Sequence, residues 1–212
     1  VPTLKNRRFV LQRGVKANRV RIIGGAWRSR LLRFPARPGL RPTPDRVRET
    51  LFNWLGQDLN GKSCLDLYAG SGALGLEAAS RGARRVVMVE RDGASFLALQ
   101  ESAKLLGAAA VELVRGDALE FLRGDRSRYD VVFLDPPFGS SELDRALPLL
   151  PPRLAPDALV YCESGERRRP PAGWEAWRSG RAGQVTFQLL KWTGHEQESG
   201  VSGHVRSDHA GP

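Results

Sequence analysis

From residue 62 onward the chain alternates between two periodicities. SCLDLYAG (63–70) reads as a strand and SGALGLEAASRG (71–82) as a helix ending at Gly82. RRVVMVERD (84–92) reads as a second strand and GASFLALQESAKLLG (93–107) as a helix ending at Gly107. AVELVRGDALEFL (110–122) supplies a third strand and a short helix, and YDVVFLDPPF (129–138) a fourth strand. A helical stretch at 141–150 precedes a fifth strand, DALVYCES (157–164). WEAWRSG and GQVTFQLLKW then suggest a final antiparallel pair. Strands alternating with helices predict an α/β fold, Rossmann-like and doubly wound, with a mainly parallel sheet of seven strands. Such sheets bind ligands beyond the carboxyl ends of their strands.

Ahead of that domain the composition shifts. Residues 1–48 hold 14 Lys or Arg and one acid, a charge of +13, while residues 49–212 hold 19 basic and 22 acidic residues, a charge of −3. So asymmetric a chain fits a polyanionic partner. RVRIIGGAWRSRLLRFP (19–35) reads as two short strands around a turn near Arg28–Ser29, with a bulge or bend at Gly24–Gly25. PARPGLRP (35–42) is an extended linker. TPDRVRETLFNWL (43–55) is a helix that Thr43 can cap, with Pro44 in its first turn and Val47, Leu51, Trp54 and Leu55 on its buried face. The predicted organisation is a flexible basic tail (1–19), a hairpin and linker (20–42), the α/β domain (43–193) and a disordered tail (194–212). The hairpin is expected to stand outside the layers of the α/β domain.

No apolar run approaches the ~20 residues needed to cross a membrane, and Cys64 and Cys162 read as core thiols. A reducing, cytoplasmic setting, a monomer, no membrane partner and no metal site are expected. His195, His204 and His209 fall in the polar tail.

Four motifs lie at strand ends. GSGALG (70–75) is a literal G-x-G-x-x-G opening a helix, which suggests a dinucleotide site. Asp66, four residues before Gly70, would repel a pyrophosphate and attract an ammonium such as that of a methionine moiety. Glu90 ends the second strand, where it can accept hydrogen bonds from ribose hydroxyls. Asp117, after the third, can accept from an adenine amino group or cap the following helix. The expected cofactor set is Asp66, Tyr68, Ala69, Gly70, Gly72, Glu90, Arg91, Asp117 and Ala118. S-adenosylmethionine fits it better than NAD.

The fourth motif is DPPF (135–138). An exocyclic amine on a nucleobase is a poor nucleophile because its lone pair is delocalised into the ring. Acceptors on its two hydrogens, Asp135 and the Pro136 carbonyl, would aim the lone pair at a methyl carbon. Pro136 and Pro137 fix the turn, and Phe138 offers a stacking face for a flipped base.

DPPF resembles the D/N-P-P-F/Y/W motif of amino-group methyltransferases. Over about residues 20–192, RIIGGAWRSR, GLRPTPDRVRETLFNWL, LDLYAGSGALGLEAASRGA, FLDPPF and GQVTFQLL resemble the bacterial 16S ribosomal RNA guanine-N2 methyltransferase D family. The resemblance implies a methyltransferase domain with an N-terminal hairpin, S-adenosylmethionine as donor and a guanine of 16S ribosomal RNA as acceptor. Arg21, Arg28, Arg30, Arg41 and Arg46 are the expected RNA contacts. An adenine-N6 methyltransferase uses the same amine chemistry. An NAD(P) oxidoreductase leaves Asp66 and DPPF unexplained, and a non-catalytic RNA-binding protein leaves Asp135 and Phe138 without a role.

Overall fold

The computed structural model of the chain describes residues 17–36, 43–137, 139–165, 168–183 and 185–194. Phe138, Arg41, His195, His204 and His209 lie outside the described residues, as does most of each predicted tail. A two-stranded antiparallel hairpin, β1 (Ala17–Arg21) and β2 (Leu31–Pro35), comes first. Then follow α1 (Asp45–Leu55), β3 (Ser63–Asp66), α2 (Gly75–Ser80), β4 (Arg85–Glu90) and α3 (Gly93–Leu106). Next come β5 (Val111–Arg115), α4 (Ala118–Gly124), β6 (Tyr129–Leu134) and α5 (Glu142–Ala146). Two short 3-10 turns lead into β7 (Leu154–Ser164), and β8 (Trp174–Ala182) with β9 (Val185–Trp192) ends the described chain.

The seven-stranded sheet has the order β5-β4-β3-β6-β7-β9-β8. Its first five strands run parallel, and β9 and β8 pair antiparallel at one edge. The chain winds outward from β3 to β5, then returns to place β6 on the other side of β3. The order therefore reverses between β3 and β6, where a crevice opens at the strand ends.

Each face of the sheet carries its own apolar layer. One joins Val86, Met88, Phe133 and Leu189 to α1, α2, α3 and the hairpin. The other joins Val87, Val132 and Val160 to α4, α5 and the 3-10 turns. Strand alternation explains this division, since successive side chains of a parallel strand face opposite layers. Cys64 and Cys162 are buried free thiols in these layers, and burial pushes the Cys64 thiol up to about 12. Among the described residues, no helix is long and apolar enough to cross a membrane.

The hairpin departs most from the sequence expectation. Its first strand begins at Ala17, three residues ahead of the expected boundary. Val20, Ile22, Leu32 and Phe34 are buried and belong to the same core as α1 and α3, so the hairpin is a packed part of the domain. Gly24–Gly25 is the bend of the two alternatives, but it follows the strand instead of lying within it and docks on α2. Gly25 has φ +73° and lies so close to Ser80 that a Cβ there would meet the Ser80 carbonyl oxygen at 1.9 Å. Ala26 N–H donates to that same carbonyl at 2.7 Å.

A buried carboxylate fastens this loop. Glu77 is fully buried and accepts from the backbone N–H groups of Ile23 and Gly24, both at 2.8 Å. It also meets the guanidinium groups of Arg48 at 3.4 Å and Arg81 at 2.9 Å. Arg48 is completely buried and makes a further bond to the Arg21 carbonyl. This explains why the inward face of α1 is Val47, Arg48, Leu51 and Phe52, with Trp54 and Leu55 only half-buried. Thr43 does not cap α1. Pro44 occupies the cap position, no side chain caps the helix, and the Thr43 hydroxyl bonds elsewhere. α2 is also shorter than the twelve-residue motif suggested, because residues 71–74 are used in turns.

Candidate active site

At the reversal point a cavity of about 680 Å³ opens across the ends of β3, β4, β5 and β6. That size suits a small-molecule ligand. Among the described residues its wall includes the carboxylates of Asp66, Glu90, Asp92, Asp117, Asp135 and Glu142, against one cation, Arg91. Such a wall repels a diphosphate and attracts a ligand carrying positive charge.

The structure brings together eight of the nine expected cofactor residues: Asp66, Tyr68, Ala69, Gly70, Glu90, Arg91, Asp117 and Ala118 all line the cavity. Gly72 does not. It has φ +80°, and a Cβ there would meet Leu99 at 2.7 Å and Leu76 at 2.8 Å. It packs closely under the loop.

Asp66 ends β3 with its Oδ2 accepting from the Gly75 N–H, at the start of α2, at 2.9 Å. Burial raises its pKa to about 7, although that bond opposes the rise. Glu90 clamps the glycine loop, accepting from Gly70 N–H at 2.8 Å and Asp92 N–H at 2.6 Å. Asp117 caps α4 by accepting from Leu119 N–H and Glu120 N–H, and its other oxygen lies 3.8 Å from Arg91. Of the two alternatives read from sequence, the cap is realised, and the same carboxylate faces the cavity. Tyr68 donates its hydroxyl to Glu142 at 3.1 Å and so ties the first loop to the segment after DPPF.

Asp135, Pro136 and Pro137 form the cavity wall beside Asp66. A bond from Ser140 N–H to the Pro137 carbonyl, at 3.2 Å, closes the turn behind them. Asp135 Oδ2 accepts from the Thr43 hydroxyl at 3.1 Å. Burial, then the nearby Glu163, raises its pKa well above the ordinary carboxylate range, and the Thr43 bond opposes this.

Thr43 and Glu163 are residues the sequence reading missed. Glu163 was legible in principle. Leu134 is in register with Cys162 across the parallel β6–β7 ladder, so Asp135 and Glu163 stand side by side at adjacent strand ends. The acid in YCES therefore repeats the pattern of the acids in LDLY, VERD and FLDPP. Thr43 has no comparable signal, because nothing local shows that position 43 meets position 135.

Of the expected RNA contacts, Arg21, Arg28, Arg30 and Arg46 are exposed. Arg21 lies 3.5 Å from Asp45 at the start of α1, two residues from the cavity-lining Thr43. Arg28 and Arg30 flank the turn that docks on the end of α2 away from the glycine loop.

The family described as "Conserved hypothetical protein 95" matches residues 20–191. The chain is 45% identical over 180 residues to "Ribosomal RNA small subunit methyltransferase D" of Escherichia coli K12, covering 82% of this chain and 91% of that protein. It is 40% identical over 181 residues to the protein of the same name from Haemophilus influenzae, covering 81% and 93% respectively. Among solved structures, "Putative methyltransferase yhhF from Escherichia coli" superposes with a TM-score of 0.74 at 44% identity, covering 82% of this chain and 98% of that one.

Proposed function

We propose, from the premise that this chain belongs to the ribosomal RNA small subunit methyltransferase D family, that it transfers a methyl group from S-adenosylmethionine to the exocyclic 2-amino group of a guanine in 16S ribosomal RNA. The observation that supports this best is the acid-walled cavity ending at Asp135 and Pro136. S-adenosylmethionine supplies an electrophilic methyl on a sulfonium, which leaves as a neutral thioether. In this reading Asp66 receives the donor's ammonium, Glu90 its ribose and Asp117 its adenine. Asp135 and the Pro136 carbonyl accept the two hydrogens of the target amine and aim its lone pair. Pro136 and Pro137 hold that geometry before the base arrives, so positioning carries much of the rate. Phe138 is the proposed stacking face for the flipped base. Arg21, beside the cavity mouth, is the leading phosphate contact, with Arg28, Arg30, Arg41 and Arg46 extending the basic surface.

The test is incubation with methyl-labelled donor and either naked 16S ribosomal RNA or the small subunit, followed by nucleoside analysis. Labelled N2-methylguanosine is expected, and label in N6-methyladenosine or in no nucleoside overturns the reading. Calorimetry checks the donor site separately. An ammonium beside Asp66 favours its carboxylate, so donor binding near pH 7 should release a fraction of a proton and its enthalpy should depend on the buffer. NAD should not compete.

A further inference from the structure

The crevice at the strand ends is walled by acids, and a second cavity has the opposite character. It encloses about 440 Å³ and is lined by Arg168, Arg169, Pro170, Ala176, Ser179 and Gln188. Among the described residues, this lining holds two guanidinium groups and no carboxylate. The chain leaves β7 at Ser164, at the carboxyl end of the parallel strands. It enters β8 at Trp174, which pairs with Trp192 at the far end of β9. Residues 168–170 therefore belong to a segment that returns across the sheet. Ala176 packs into the layer of α4 and α5, and Asp144 of α5 accepts from Arg168 Nη1 at 2.6 Å. The cavity thus opens on that face, and the hairpin packs on the other. Register gives its distance from the DPP turn. Leu134, Cys162, Gln188 and Ser179 stand in line on β6, β7, β9 and β8. Three strand spacings put Ser179 about 14 Å from Leu134, the residue before Asp135.

The side chains here suit an anion rich in acceptors. Gln188 Nε2 donates to Ser179 Oγ at 3.2 Å, which leaves the Ser179 proton to be given elsewhere. Arg168 spends part of its fork on Asp144, and a guanidinium has five N–H groups in all. So exposed an ion pair adds little stability, but it fixes where the guanidinium points. Among the described residues, Arg169 has no ion pair or side-chain hydrogen bond. A phosphate accepts from all three groups, and its oxygens match the guanidinium fork. A small phosphorylated molecule shares that chemistry. Two placements favour the RNA backbone. The cavity lies within a few nucleotides' reach of Asp135, and Asp144 ties Arg168 to α5, whose first residue, Glu142, lines the acid-walled crevice.

We propose that Arg168, Arg169 and Ser179 form a phosphate site that grips the RNA backbone a few nucleotides from the target guanine. This rests on the methyl-transfer reading above and adds a second surface to it. The RNA is then held from both faces of the sheet, by the hairpin arginines on one and by this site on the other. The target base enters the crevice between them. A phosphate fixed at Arg168 is also fixed relative to the turn at Asp135, because both border α5, and this sets which nucleotide reaches the donor.

The experiment measures binding of 16S ribosomal RNA by the full chain at several salt concentrations, in wild type, the double variant Arg168→Ala/Arg169→Ala, and Arg169→Lys. One lost phosphate contact should weaken binding about tenfold near 0.1 M salt and lower the salt slope by about one. Arg169→Lys keeps the charge and loses the fork, so its slope should match wild type and its affinity should fall less than that of the double variant. Donor calorimetry and urea unfolding should be unchanged in both variants, since neither arginine lines the donor cavity or the core. Wild-type affinity and slope in the double variant would overturn the proposal. So would a weakened affinity with an unchanged slope, because the arginines would then act through structure and not through a phosphate. Titration with inorganic phosphate separates the two sources of the anion. A double variant that loses inorganic phosphate but binds RNA as wild type does marks a small-anion site and also overturns the RNA assignment. A wild type that binds RNA but methylates nothing refutes the methyl-transfer reading instead, and the salt slopes still decide the phosphate site.

Discussion

Glu77 and Glu163 are both buried glutamates held near the first helix, in opposite electrical surroundings. Glu77 sits between Arg48 and Arg81 and accepts two backbone N–H groups, so its charge is compensated on every side. Glu163 faces Asp135, a tyrosine hydroxyl and a threonine hydroxyl. Among the described residues it has no ion pair, and burial raises its pKa. A compensated charge in the interior pins segments together. An uncompensated one costs stability, and such groups cluster at functional sites. The first glutamate holds the hairpin; the second stands beside Asp135, the proposed acceptor of the target amine.

The largest test of this contrast is Glu77→Ala. It removes the partner of two buried guanidinium groups and of two amides, so unfolding in urea should show a loss of about 3–5 kcal/mol. A loss below about 1 kcal/mol would end the distinction.

Asp66→Asn should act the other way. The folded pKa of Asp66, about 7, lies above its ordinary value of 3.8, so the wild type loses stability as pH rises from about 4 to about 7. The amide keeps an acceptor for Gly75 N–H and carries no charge. The variant should match wild type below pH 4 and exceed it above pH 7 by as much as about 4 kcal/mol, at ~1.4 kcal/mol per pK unit. Thermal melts at pH 4 and pH 8 check this, and equal melting shifts at both would remove Asp66 from the uncompensated set.

Asp135→Ala should cost about 1.5–3 kcal/mol in the transition state, roughly ten- to hundredfold in single-turnover rate, while donor affinity stays within a few-fold. A rate preserved within threefold would mean that the amine is positioned by something else. The smallest effect is expected at the surface. Arg21→Ala should weaken RNA binding and flatten its salt dependence by about one counterion, more than Arg28→Ala does. Filter binding at several salt concentrations ranks the two, and an unchanged slope for Arg21→Ala would move the RNA surface away from the hairpin's cavity end. Deleting the hairpin cannot serve as this test, since it would strip Val20, Ile22, Leu32 and Phe34 from the core.

The sequence showed the parallel sheet because each strand and helix carries its own periodicity and its own stop, such as Gly107 in the left-handed conformation after α3. It showed the acids at β3, β4, β5 and β6 for the same local reason. It did not show that Arg48, on a helix where a charged residue reads as solvated, is fully buried, because the compensating Glu77 lies 29 positions away. Nor did it show that Thr43 serves a loop instead of its own helix. A capping residue and a reaching hydroxyl look identical until the distant partner is placed. The sequence also did not show how tightly Gly72 is packed: a Cβ there would meet Leu76 and Leu99.

The docking of the hairpin also sets an order of assembly. As the ribosome releases the chain from its N-terminus, Ile22, Leu32 and Phe34 emerge well before α2 and α3, the helices that will cover them. The Ile23–Glu77 bond spans 54 positions and the Thr43–Asp135 bond 92. Neither contact can close before its later partner has been synthesised, at roughly 5–20 residues per second. The nascent hairpin therefore waits with its apolar face bare until α2 and α3 are synthesised, and the bridge over Asp135 closes only after β6 has joined the sheet. The parts proposed to meet the substrate are thus among the last to be fixed, and a half-made chain has no finished cavity.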